Sequence, residues 1–133
     1  MTIRCRWVYI AIVHAVSFAV SQEPSGTVRP EEAWRHIGKS EAVCGQVVDT
    51  SYAISVPSSP TYLFLERPRP EQVFTVVIPS AKRDLFGDSP EKSFRGKSLC
   101  ATGKIEADSM DGAVDSKHRA RVLIEDEEQI TVR

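Results

Sequence analysis

Residues 96–105, GKSLCATGKI, decide the fold, because the chain repeats much of this pattern at residues 38–47, GKSEAVCGQV. Each copy begins with Gly-Lys-Ser, has a second glycine seven residues later and contains one cysteine. Side chains alternate between the two faces of a β-strand, so both cysteines fall on the more polar face. The opposite, apolar face comprises Val43, Gly45 and Val47 in the first copy and Leu99, Ala101, Gly103 and Ile105 in the second.

The first 21 residues are typical of a secretory signal peptide. Arg4 and Arg6 precede the apolar run WVYIAIVHAVSFAV, and small residues form a cleavage site before Gln22. The alternative is an uncleaved membrane anchor, but the run is shorter than the roughly 20 residues that a bilayer span needs. We therefore predict a signal peptide at 1–21, a flexible leader at 22–29 and a folded domain at 30–133. The protein is expected to be secreted or periplasmic, with no membrane insertion after cleavage.

Removal of the signal peptide leaves 112 residues with 15 basic and 18 acidic side chains, a net charge of −3. Proteins that bind phosphate backbones usually carry a basic surplus, so the overall charge argues weakly against a nucleic-acid ligand. Cys44 and Cys100 are the two cysteines that remain. An exported protein meets an oxidising compartment, where paired cysteines form disulfides.

A Cys44–Cys100 disulfide requires antiparallel neighbouring strands with the two cysteines opposite each other. The alternative is a pair of free thiols that both face outward. The bridge would place the first and fourth strands side by side, although two strands and a helix separate them in the chain. A mainly β fold with this property is the OB-fold, a five-stranded Greek-key barrel.

The remaining sequence agrees with such a barrel, with a short N-terminal helix and a helix between strands 3 and 4. Valine-rich and alternating segments predict strands within 41–56, 61–66, 73–78, 97–107 and 119–126. Proline at the start, early glutamates and a final glycine predict a helix at 30–38. A second helix is predicted at 79–87, a further helical turn at 89–96 and a short extension in the C-terminal tail.

The chain also resembles a family of small bacterial secreted OB-fold proteins that are described as nucleic-acid-binding-like. The resemblance spans roughly residues 30–133 and implies an OB-fold and export. Two departures fall where OB-folds bind ligands: Phe64 and Glu66 replace a small polar residue and a glycine, and the loop at 108–118 is longer and more charged. The matching segments are PEEAWRHIGKSEAVCGQV (30–47), PTYLFLERPRPEQVFTVVI (60–78), KRDLF (82–86), FRGKSLCATGKI (94–105) and EEQI (127–130).

The second strand supplies the main candidate binding residues. If Leu63 and Leu65 point into the barrel, Tyr62 and Phe64 point outward, where exposed aromatic rings stack on bases. Alternatively, Tyr62 and Phe64 cover a small second core against Trp34, and the nearby arginines are ordinary solvated residues. Tyr52 is placed in the loop after the first strand. The candidate nucleic-acid-binding residues are Tyr52, Tyr62, Phe64, Arg67, Arg69, Arg119 and Arg121.

No catalytic or metal motif is recognisable. The Gly-Lys-Ser tripeptides lack the preceding glycine of a phosphate-binding loop, and the aspartates at 108–115 lack EF-hand spacing. His36 and His118 have no evident nucleophilic partner. We therefore expect a monomeric, non-enzymatic module that binds single-stranded nucleic acid and uses no cofactor or metal. The alternative is an exported structural or interaction domain that binds protein or oligosaccharide.

Overall fold

The computed structural model describes residues 26–108 and 116–133, together with Ile12 and Ala15. The predicted signal peptide lies almost entirely outside these residues. Within the described part of the chain, no helix is both long enough and apolar enough to span a bilayer.

Five strands form a closed barrel, and a sixth short strand extends it. Strand order is β1-β2-β3-β5-β4, and pairing of β1 with β4 closes the ring. β3 and β5 are parallel, whereas the other pairs are antiparallel. This arrangement confirms the predicted OB-fold class, and β6 is the predicted C-terminal extension. The strands are β1 (Ser40–Tyr52), β2 (Thr61–Leu65), β3 (Phe74–Ile78), β4 (Ser98–Ala107), β5 (Ala120–Leu123) and β6 (Ile130–Val132).

The two similar sequence copies pair with each other across the β1–β4 seam. The turn at the start of each copy bonds to the last residue of the other: Gly38 N donates to Ile105 O at 2.8 Å, and Gly96 N donates to Val47 O at 2.8 Å. Both of these glycines have positive φ angles, 91° and 82°, which glycine adopts without steric cost. The repetition therefore encodes two matching strand starts.

The cysteines and the second glycines lie within this seam. Cys44 is directly opposite Cys100 and is bonded to it, which confirms the predicted disulfide. A Cβ atom at Gly45 would lie 2.8 Å from Pro30 Cγ, and one at Gly103 would lie 2.8 Å from Val122 Cγ2. These glycines are therefore required by close packing.

Helical segments are shorter and tighter than the sequence suggested. The N-terminal segment Pro30–His36 and the segment Ser80–Phe86 are 3₁₀ helices, followed by the single-turn α-helix α1 (Pro90–Ser93). Two further 3₁₀ turns cover Ser116–His118 and Glu127–Gln129. Helices this short gain little stability from α-helical hydrogen bonding alone. Their packing on the barrel therefore determines their conformation.

Alternation along the strands fills the barrel interior. The fully buried apolar side chains include Val43, Val47, Leu63, Leu65, Phe74, Val76, Ile78, Leu99, Ala101, Ile105, Ala120 and Ile124. Ala33 from the N-terminal 3₁₀ helix is also fully buried and belongs to the same apolar cluster. The predicted inward faces of both repeated segments are thus confirmed.

Part of the predicted flexible leader belongs to the folded domain. Val28 is buried and forms a parallel bridge with Val43. Its N–H donates to Ala42 O at 2.8 Å, and its carbonyl accepts from Cys44 N at 3.1 Å. The barrel domain therefore extends to at least Val28, because this residue covers the free edge of β1.

Candidate functional site

The outward side chains of β1 (49–51), β2, β3, β5 and β4 (106) form one continuous surface, here called the open face. Register aligns these side chains in two rows that cross the strands. The first row contains Ser51, Tyr62, Val77 and Leu123. The second row contains Asp49, Phe64, Thr75, Arg121 and Glu106. A ligand lying across the strands would meet both rows.

The first row is mostly apolar and partly accessible. Tyr62 is half-buried, Val77 is nearly covered, and Leu123 is 41% exposed. Leu123 also borders a groove of about 170 Å³ formed with Lys104, Glu106, Glu125 and Gln129. The accessible apolar side chains of this row are therefore Tyr62 and Leu123, on either side of the nearly covered Val77.

Phe64 is buried, so the prediction that its ring is available for stacking is corrected. The side chain is 0% exposed, because the turn after β2 folds back over it. The guanidinium carbon of Arg69 lies 5.1 Å from the Phe64 ring centroid, and the Tyr62 ring lies 6.2 Å away. Trp34, the alternative cover, instead lies against His118 with ring centroids 4.4 Å apart.

Tyr52 is also separated from the open face. It is the last residue of β1 rather than a loop residue, and its partner Thr61 is buried on the inward side of β2. The guanidinium of Arg83 lies 3.7 Å from the Tyr52 ring centroid. Tyr52 and Tyr62 therefore belong to opposite faces of the sheet and cannot stack on one ligand strand.

Asp49 organises the arginines at the β1 end of the open face. Its Oδ2 accepts from Arg69 Nε at 2.8 Å and its Oδ1 from Arg69 Nη2 at 3.2 Å. Arg95 Nη2 lies 3.6 Å from the same Oδ1. The side-chain hydrogen bonds from Arg69 lower the pKa of Asp49 below its ordinary value, in spite of partial burial. The carboxylate therefore stays ionised and fixes the orientation of Arg69.

The β5 and β4 side of the open face holds Arg121 and a buried carboxyl group, and Arg119 reaches from the start of β5 to the turn after β2. Arg119 Nη2 donates to Pro70 O at 2.8 Å, and Arg121 Nε lies 3.5 Å from Glu106 Oε2. Asp108 is only 5% exposed. Its Oδ2 accepts from the Thr75 hydroxyl at 3.4 Å.

Burial raises the pKa of Asp108, while Arg121, the Thr75 hydroxyl and Arg119 act in the opposite direction. The desolvation of this carboxyl outweighs its favourable neighbours. Burying the ionised form of Asp108 therefore costs folding free energy. The carboxyl lies beneath the part of the open face that carries Arg119 and Arg121.

Of the predicted arginines, Arg69, Arg119 and Arg121 lie on or beside the open face. Arg67 is exposed in the turn after β2. Sequence analysis missed Asp49, Arg95 and Leu123. Because side chains alternate between the two faces of a strand, an outward Arg121 implies an outward Leu123, so this residue could have been found. Nothing in the local sequence relates Arg95 to Asp49. Among the described residues, no three His, Cys, Asp or Glu side chains form a group that could hold a metal ion.

Comparison with known proteins supports the fold alone. No family model and no curated protein matches the chain. The fold is similar to a crystal structure assigned to an aspartyl-tRNA synthetase from Leishmania major Friedlin, with a TM-score of 0.53 and 8% sequence identity. The similarity covers 86% of this chain but only 22% of that one.

Proposed function

We propose that this protein is an exported, non-catalytic OB-fold module that binds single-stranded nucleic acid across its open face. The observation that carries the proposal is the pairing of an apolar cross-strand row, Tyr62–Val77–Leu123, with arginines at both ends. OB-folds bind oligonucleotides on the face of strands 2 and 3. Single-strand binders combine stacking rings with cations that follow the backbone.

Each part of the open face has a role in this proposal. Tyr62 stacks on one base, and Leu123 contacts a neighbouring base. Arg67, Arg119 and Arg121 contact phosphates. Phe64 supports Arg69 from beneath and does not touch the ligand, and Tyr52 has no part in binding.

The structural comparison adds limited support. The similar protein is named as an aspartyl-tRNA synthetase, an enzyme whose name assigns it an RNA substrate. A shared fold does not establish a shared ligand, so the argument depends on the residues of the open face.

The second candidate function is an exported interaction domain that binds protein or oligosaccharide. The observation that favours it is the charge pairing on the open face, where Asp49, Glu106 and Asp108 accompany the arginines. A mixed-charge surface with an exposed Leu123 suits a less anionic ligand. Salt dependence separates the two candidates.

The test is a fluorescence anisotropy titration of the purified protein with a labelled eight-nucleotide oligo-dT. Contacts from Arg67, Arg119 and Arg121 predict a slope of log K against log salt of about −2. Arg121→Gln should weaken binding and make the slope less negative by about 0.7. Lys39→Gln, which removes a positive charge at the start of β1, is the matched control and should leave both unchanged.

Two results would contradict the proposal. One is the absence of saturable binding even at low salt. The other is binding whose strength does not depend on salt or on Arg121, which would favour the interaction domain instead.

A further inference from the structure

We propose that Arg69 and Arg95 form a subsite at the β1 end of the open face that binds one phosphate group of the ligand between them. This inference rests on the proposed function and extends it. It adds Arg95, which is not among the candidate binding residues named from the sequence. It also assigns Asp49 the role of positioning both arginines.

The chain segment that carries Arg95 is fixed against β1, where it continues the β1–β4 pairing beyond Ser98. Val47 N donates to Lys97 O at 2.9 Å, and Gly96 N donates to Val47 O at 2.8 Å. The Thr50 hydroxyl donates to Glu91 O at 2.8 Å. Arg95 is therefore attached to the same strand that carries Asp49, and its backbone position does not depend on a ligand.

Asp49 holds Arg69 more firmly than Arg95. Besides the two guanidinium contacts, its carboxylate accepts from the backbone N–H of Thr50 at 2.9 Å and of Arg69 at 3.2 Å. Arg69 Nη2 also donates to Thr50 O at 3.3 Å, and the buried Phe64 ring supports the guanidinium. Arg69 is thus pre-oriented, which lowers the entropic cost of binding.

Both guanidinium groups still present donors to solvent. The side chains of Arg69 and Arg95 are 47% and 61% exposed. Within residues 26–108 and 116–133, Nη1 of Arg69 and both Nε and Nη1 of Arg95 make no hydrogen bond. Two guanidinium groups around one carboxylate leave a net positive charge, and their planar donor forks match phosphate oxygens.

The position of the subsite sets a minimum length for the ligand. The Arg95 guanidinium reaches Asp49 on β1, and Arg121 lies on β5, three strands away along the sheet. Strand spacings of about 5 Å place the two ends of the path about 15 Å apart. Contact with both ends therefore needs several linked nucleotides, in agreement with OB-fold site sizes of about 4 or more.

The decisive comparison is Arg95→Gln against Lys92→Gln, because Lys92 is an exposed cation on the adjacent α1. In the oligo-dT titration, the subsite makes the expected native salt slope about −3 rather than −2, and Arg95→Gln should weaken binding about five- to tenfold and return the slope toward −2. Lys92→Gln should stay within about twofold of the native protein. Equal affinities for the native protein and Arg95→Gln, with Arg121→Gln weakened, would overturn the subsite and leave the proposed function standing.

Inorganic pyrophosphate tests the subsite without an oligonucleotide. It should raise the Tm of the native protein and of Lys92→Gln, but not that of Arg95→Gln. This result combined with no oligonucleotide binding would support the subsite and reject the proposed function. No difference between the three proteins in either measurement would reject the subsite.

Discussion

The two halves of β1 differ in how their outer surfaces are used. Residues 40–46 pair with β4, and their outward side chains are small or neutral, with Cys44 bonded to Cys100. Residues 47–52 pair with β2 and carry Asp49 on the open face. The register shift between Val47 and Asp49 separates the halves. One strand therefore closes the barrel with its first half and supports a charged surface with its second half.

Two arginine–carboxylate clusters repeat this contrast on either side of the second half. On the inner side, Arg83 bonds Glu91 at 2.8 Å with side chains only 12% and 17% exposed, and it also donates to Thr61 at 2.6 Å. On the outer side, Arg69 bonds Asp49 but is 47% exposed. The Arg83–Glu91 pair therefore holds the helical segments to the barrel, whereas the Arg69–Asp49 pair leaves guanidinium donors exposed to solvent.

The largest expected effect comes from removing the seam disulfide. The bridge joins residues 56 apart, so replacing Cys44 and Cys100 with alanine should lower the free energy of unfolding by about 4 kcal/mol, since the unfolded chain regains that loop entropy. Urea denaturation of the oxidised native protein and the variant measures this difference. A loss below about 1 kcal/mol would show that backbone pairing alone closes the seam, in disagreement with the loop-entropy estimate.

The next effect separates the two arginine clusters. Arg83→Met should cost about 3 kcal/mol, because it leaves the Glu91 carboxylate largely buried and unpaired. Arg69→Met should cost about 1 kcal/mol or less, because the exposed pair is screened and Asp49 keeps backbone donors. Chemical denaturation of both variants tests the contrast. Equal losses would mean that the open-face cluster is structural.

The smallest effect concerns pH and Asp108. A carboxyl whose pKa is raised by folding stabilises the protein at acid pH, and this stabilisation is lost as pH rises from the unfolded value of 3.8 through the folded value. Asp108→Asn removes this dependence and can still accept the Thr75 hydroxyl hydrogen. Its stability relative to the native protein should therefore increase by about 1 kcal/mol or less between pH 4 and pH 7.

Asp49 and Glu91 make the free energy of unfolding depend on pH in the opposite direction, at lower pH. The pKa of each is lowered by its arginine partner, so stability is lost as pH falls below the unfolded values toward the folded ones. Both groups are present in the native protein and in Asp108→Asn, so the difference between the two unfolding curves isolates Asp108. A constant difference from pH 4 to pH 7 would contradict the assignment.

The fold was predictable because its decisive features repeat locally. Alternation around Cys44 and Cys100 placed both on the same side of adjacent strands, and that pairing implied the barrel closure. The helical type was less predictable, because short segments such as Pro30–His36 follow the shape of the barrel rather than their own propensity. The attachment of Val28 was missed because a single apolar residue among polar ones gives no periodic signal.

The open face was only partly predictable, because side-chain accessibility depends on distant segments. Alternation correctly turned Phe64 away from the barrel interior, but Arg69 covers it from the following turn. Arg95 approaches Asp49 from 46 positions further along the chain, and no local pattern reports that contact. Sequence therefore placed the candidate residues on β2 and the turn after it, but it did not show which of their side chains are accessible.

The Cys44–Cys100 bond also encloses Asp49, Tyr62, Phe64, Arg69 and Arg95 within one covalent loop. A protease that cuts a turn between the two cysteines would leave both fragments joined, and their mass would separate only after reduction. The strands of the open face would thus stay attached to one another after a single nick.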